Sequence, residues 1–133
     1  MIIAILITTI FILKYSKEEA GVYYVFIKSG IKPDHLMNFI SRAFFAVAVS
    51  TLAHAYDINY VKILMLSLYQ CGVFGIAFTL HLNKYRELHP LYLGDSWMDT
   101  FFKNMFGTQS AGIIQMLFFA TVSVLSILYY ILK

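Results

Sequence analysis

The sequence predicts an all-α, polytopic membrane protein, and three observations carry that expectation. No charged side chain occurs from Asn104 to Leu132, from Ile63 to Leu82, or from Ala43 to Tyr56. A helix needs roughly 20 apolar residues to cross a hydrocarbon layer ~30 Å thick, so these runs have the character of membrane spans. The composition agrees: 60% of residues are hydrophobic and 13% charged, against about 25% charged in soluble domains, too few to cover a compact globule with a water-facing surface. The 133 residues form one membrane domain, with spans at about 36–56, 61–82 and 111–132. A short apolar helix at about 1–13 is a fourth, marginal span, and amphipathic interfacial helices are expected at about 17–29 and 96–106.

The segment Met1 to Leu13 has no basic residues before it and no small-x-small cleavage site after it, so it reads as a retained anchor rather than a signal peptide. As a helix it reaches only about 20 Å, so it would have to stand upright while Lys14 snorkels. Ser16 and Glu19 have the spacing of a capping box, which predicts a new helix from Lys17 with Val22, Tyr23, Phe26 and Ile27 on one face. Gly30 is its natural stop, and Lys32-Pro33-Asp34 opens the next helix.

The span at 36–56 contains Arg42 near its start, where a long side chain is expected to snorkel to the phosphate level. Ala43, Ala46, Ser50 and Ala53 fall on one stripe of that helix. A tight hairpin at Asp57-Ile58-Asn59 leads into the span at 61–82, which carries its own small stripe of Gly72, Gly75 and Thr79. Close backbone approach along small residues is how helices associate in lipid, so these two stripes are expected to face each other in an antiparallel pair. Beyond Asn83, Ser96 and Asp99 form a second capping pattern and Gly107 a terminator. Between them Trp97, Phe101, Phe102, Met105 and Phe106 line one face, opposite Asp99, Thr100, Lys103 and Asn104. That is the pattern of a helix lying in the membrane interface.

Eight of the ten Lys and Arg residues lie in or beside the two long connections: Lys14, Lys17, Lys28, Lys32, Arg42, Lys84, Arg86 and Lys103. Only Lys62 and Lys133 fall toward the other side. The positive-inside rule then puts both connections on the cytoplasmic side, with both termini external. The net charge of +3 is spread along span flanks and does not form a patch with interleaved aromatics, so no nucleic-acid partner is expected.

Catalytic chemistry has little to stand on. His54 and His81 would lie at opposite membrane faces, so they cannot hold one haem between them. Grouping His81, His89 and His35 with Asp34 and Glu87 matches no zinc spacing. Cys71 has no nearby cation to activate it, and a single cysteine allows no disulfide within the chain. Gln70 and Gln115 are mid-span amides expected to bond between helices, with pore lining as the alternative. No phosphate-binding loop, paired carboxylates or Ser-His-Asp set is present. The chain is therefore expected to be no enzyme and to carry neither metal nor cofactor.

Asn83-x-x-Arg86 leaving a helix, then Tyr92-Leu93-Gly94-x-Ser96-x-x-Asp99 and a final apolar segment, form a recognisable series. Over residues 35–132 it resembles small integral membrane proteins of Bacteroidota phages and prophages. The resemblance implies a virion membrane or bacterial inner membrane, and no active-site residues. The functional expectation is a structural protein of a lipid-containing phage virion, in a larger complex with other membrane or capsid proteins. The alternatives are a holin-like pore former, for which Gln70, Gln115, Thr121, Ser123 and Ser126 are the polar residues available, and an accessory subunit of an energy-transducing complex.

Overall fold

The computed structural model describes residues 2–31, 34–56, 58–94 and 96–133, with every side chain among them except those of His35, Leu36 and Trp97. Five helices follow one another: α1 (Ile2–Lys28), α2 (His35–Ala53), α3 (Tyr60–Tyr85), α4 (Trp97–Phe106) and α5 (Ala111–Leu132). The expectations for Lys32, Pro33, Asp57 and the Trp97 side chain lie outside the described residues.

Residues 2–28 do not form two helices. α1 runs without a break through Lys14-Tyr15-Ser16-Lys17, where no glycine or proline interrupts it. Ser16 is not a cap. It is fully buried, and its hydroxyl donates to the Leu13 carbonyl at 2.8 Å. The expected span at 1–13 and interfacial helix at 17–29 are therefore two parts of one rod.

Helix α3 is the axis of the fold: α1, α2 and α5 all pack on it, and α4 packs on α5. α1 lies parallel to α3. Thr9 hydrogen-bonds Tyr69, Tyr15 meets Phe74, Tyr23 meets Phe78 edge-on, and Tyr24 stacks on Tyr85. α5 runs antiparallel to α3, with Ser123 beside Tyr69 and Phe119 against Gly75. α2 is antiparallel to α1, since Tyr15 stacks on Phe45 while Glu19, one turn later, reaches back to Arg42. Both long connections thus lie at one end of the bundle.

The helix ends follow local chemistry. Asp34 caps α2 by accepting the Met37 N–H at 3.0 Å. Asn59 caps α3 through the Lys62 N–H, and Ser96 caps α4 through that of Asp99. Gly30 and Gly107 end their helices at positive φ, 73° and 77°, which glycine adopts with least strain.

Two of the helices, α3 and α5, are long and apolar enough to cross a bilayer, with mean hydropathies of 1.8 and 2.1. This corrects the expectation of three such spans. The apolar part of α2 is only Met37–Ala53, and it includes Arg42. α1 falls short because Lys14, Lys17, Glu18 and Glu19 follow its apolar first half. Lys14 and Glu18 form an exposed ion pair on its outer surface at 3.9 Å.

Candidate functional site

Gly72 and Gly75 abut α5, and the two small-residue stripes border a common cavity instead of closing on each other. A Cβ on Gly72 would sit 2.1 Å from Ser123 Oγ and 2.7 Å from the Phe119 carbonyl oxygen, and one on Gly75 would sit 2.8 Å from the Phe119 ring. The glycines therefore seat α5 rather than α2. Ala46 and Ser50 are buried on α2, with the Ser50 hydroxyl donating to the Ala46 carbonyl, while Ala43, Ala53 and Thr79 are half-buried. α2 does pack on α3, and the guanidinium of Arg42 lies 4.1 Å from the centre of the Phe78 ring and 5.1 Å from that of Phe74.

Arg42 therefore points inward instead of snorkelling. Its Nε donates to Glu19 Oε1 at 2.7 Å, with only 20% and 16% of the two side chains exposed. An opposite charge on the neighbouring helix and an aromatic face beneath it hold the guanidinium away from water. Arg42 Nη2 and Glu19 Oε2 are buried without hydrogen-bond partners. Reading Glu19 as a cap hid this contact. The available signal was a lone arginine in an apolar helix with a carboxylate on the preceding one.

A second polar group gathers at the connection end. Asn83 is buried, and its amide donates to the carbonyls of Pro90 and Tyr92, both at 2.8 Å. Lys103 donates to the Gly94 carbonyl at 2.6 Å. Gln115 donates to Asp99 at 3.0 Å and so links α5 to α4, while its Oε1 has no partner. Residues 88–94 are thereby pinned against α5, where Gly112 leaves no room for a Cβ beside the Leu91 carbonyl. Replacing Asn83 by leucine leaves two carbonyls without their donor. It should cost about 2 kcal/mol and speed proteolysis within 87–95; unchanged cleavage kinetics would show that the amide does not hold the loop.

At the far end His54 joins α2 to α5. Its Nδ1 lies 2.9 Å from the Ser50 carbonyl, which can only accept, so Nδ1 carries the proton. Nε2 then accepts from the Tyr130 hydroxyl at 3.0 Å, with both side chains buried. Tyr130→Phe should lower stability by about 1 kcal/mol, and His54→Phe made on top of it should cost far less than it does alone. Additive losses in thermal melts would show that the two side chains are not coupled.

Phe101, Met105 and Phe106 are exposed, but Phe102 is buried against Leu93 and Ala111 and touches Phe118. Phe102 is thus the anchor of α4 on α5 rather than an interface residue. Gln70 departs from expectation in another way: it is fully buried and neither amide atom finds a partner. Ser67, one turn before it, spends its hydroxyl on the Ile63 carbonyl. His54 and His81 belong to opposite ends of the antiparallel pair and do not meet.

Between α2 and α5 lies a cavity of about 590 Å³, bordered by Gly72, Gly75 and Thr79 of α3 and lined mostly by apolar side chains. Arg42, Asn83, Arg86, Asp99 and Gln115 line its connection end. Its size falls within the ~300–1,000 Å³ common for ligand pockets. Among the described residues no group of three or more His, Cys, Asp or Glu side chains is placed to hold a metal ion. Compared with family models, curated proteins and solved structures, the chain matches none.

Proposed function

We propose that this chain is a structural integral membrane protein that anchors a bilayer to protein partners, most concretely in the virion of a lipid-containing phage. The observation that carries the membrane part is how little of the apolar helices the fold covers. Only 28% of the apolar window of α5 and 39% of that of α3 is buried, whereas the core helix of a water-soluble protein is mostly enclosed. Exposed side chains such as Leu117, Phe118, Leu125 and Leu128 on α5 would be solvated by lipid tails.

The partner-binding part rests on the connection end. Both long connections lie there with Lys28, Lys84, Arg86 and Lys103, while α4 presents Phe101, Met105 and Phe106 outward. A basic, aromatic surface of this kind suits the cytoplasmic headgroup layer and proteins docked against it. The phage setting is suggested by the series from Asn83 to Asp99.

The test is extraction followed by identification of what co-purifies. The chain is expected to stay in the membrane pellet through alkaline carbonate, to need detergent for release, and to be recovered by mass spectrometry from purified particles with capsid or membrane proteins. Release without detergent would refute the membrane reading. Recovery as an isolated monomer absent from particles would refute the anchoring role, and dye leakage with growth arrest on expression would replace it with a pore former.

A further inference from the structure

We infer that the cavity between α2 and α5 is a binding site for one anionic phospholipid, with its headgroup at Arg86 and an acyl chain laid along α3. This goes beyond the anchoring role; it requires a bilayer but no protein partner.

The groove exists because α2 and α5 flank α3 without packing along each other. The hydrogen bond from Tyr130 to His54 ties them at the far end, and toward the connection end they part. Gly72, Gly75 and Thr79 of α3 border the gap, and from α2 only the small side chains of Ala43 and Ala46 reach toward it beside Phe39 and Arg42. From Leu68 to Leu82 the lining of α3 extends about 21 Å at 1.5 Å per residue, longer than the hydrocarbon of one leaflet, about 15 Å. Helix interfaces are otherwise packed without voids of this size, so an apolar cavity among these helices is suited to take up an acyl chain.

Polarity along the groove changes in the order found in a phospholipid. At the mouth Arg86 lies with its guanidinium 5.5 Å from the centre of the Tyr92 ring, a cation suited to a phosphate. Farther in, Arg42 Nη2 is a buried donor without an acceptor. After a small side-chain rotation it would meet an ester carbonyl. Beyond it the lining is apolar down to Leu68 and Val122. A free fatty acid lacks the ester group for the middle region, and the narrow volume leaves no room for a helix from another protein.

The experiment uses the full chain reconstituted in nanodiscs containing equal phosphatidylglycerol and phosphatidylcholine, extracted into mild detergent and examined by native mass spectrometry. About one phosphatidylglycerol per chain is expected to survive extraction. Ala43→Trp, which fills the groove from α2, should reduce retention roughly tenfold or more, while Arg86→Gln should remove the preference for phosphatidylglycerol over phosphatidylcholine. Lys62→Gln, at the far end, should change neither. Helicity and elution volume matching the parent establish that each variant is folded, and either of the two groove variants suffices for the test. No retained lipid, retention unchanged in a folded groove variant, or a fatty acid or polypeptide in the lipid's place would each overturn the site. None of these outcomes depends on particles or partners, so the site and the anchoring role fail separately.

Discussion

Gly72→Leu is expected to give a large loss of stability. Already at Cβ the new side chain meets Ser123 Oγ at 2.1 Å and the Phe119 carbonyl oxygen at 2.7 Å. A serine hydroxyl can rotate aside, but a helical carbonyl cannot, so α5 must move as a body. Overpacking of this kind costs up to about 3 kcal/mol, a drop on the order of 10 °C in a thermal melt in detergent. Gly75→Ala should cost less, because its Cβ meets the Phe119 ring, which has rotational freedom. Pairing Gly72→Ala with Ser123→Gly should recover only part of the loss, since the carbonyl contact stays. Melting curves in which Gly72→Leu matched the parent, or in which Gly75→Ala did more damage, would show that α5 is not seated on this face.

The second large effect is expected at Glu19. Glu19→Ala leaves the Arg42 guanidinium enclosed by Tyr23, Phe74 and Phe78 with no counter-charge. Losing one member of a buried pair costs about 3–5 kcal/mol, because the remaining charge keeps its desolvation penalty. Removing both charges with Glu19→Met and Arg42→Met should restore much of the stability, as apolar side chains of similar volume incur no such penalty. Arg42→Lys should fall between, retaining the charge but losing the planar stack on Phe78. The order parent, double methionine, lysine, Glu19→Ala is what thermal melts should return. If Glu19→Ala were neutral, the pair would be a passive contact and the packing of α1 on α2 would rest on Tyr15 and Phe45 alone.

How much of this was legible depended on the range of each interaction. The helix stops at Gly30 and Gly107 and the cap at Ser96 involve residues within a turn of one another, and spacing alone reveals those. The break predicted at Ser16 failed because a capping box marks where a helix can begin, not where it must, and the preceding turn of α1 was already helical. Phe102 and Phe101 are adjacent aromatics on one amphipathic helix, yet one is core and the other exposed. Only the position of Leu93 and Ala111 separates them.

The candidate site was less legible because its members come from every element. Arg42 and Glu19 are 23 residues apart, Gln115 and Asp99 are 16, and Tyr130 and His54 are 76. Nothing local couples such pairs. Small residues advertise a close approach without naming the partner, which is why Gly72 and Gly75 were assigned to α2 when α5 was the helix that reached them.

The sequence by itself determined the all-helical class, most helix ends, and the apolarity of α3 and α5, because backbone hydrogen bonding and side-chain hydrophobicity act within a few residues. Only the tertiary structure decided that α1 is a single rod, that Arg42 is drawn inward by Glu19, and that α2 and α5 part to leave a groove. Those outcomes depend on which surfaces of α3 its three neighbours occupy, a competition among distant segments that no local pattern encodes.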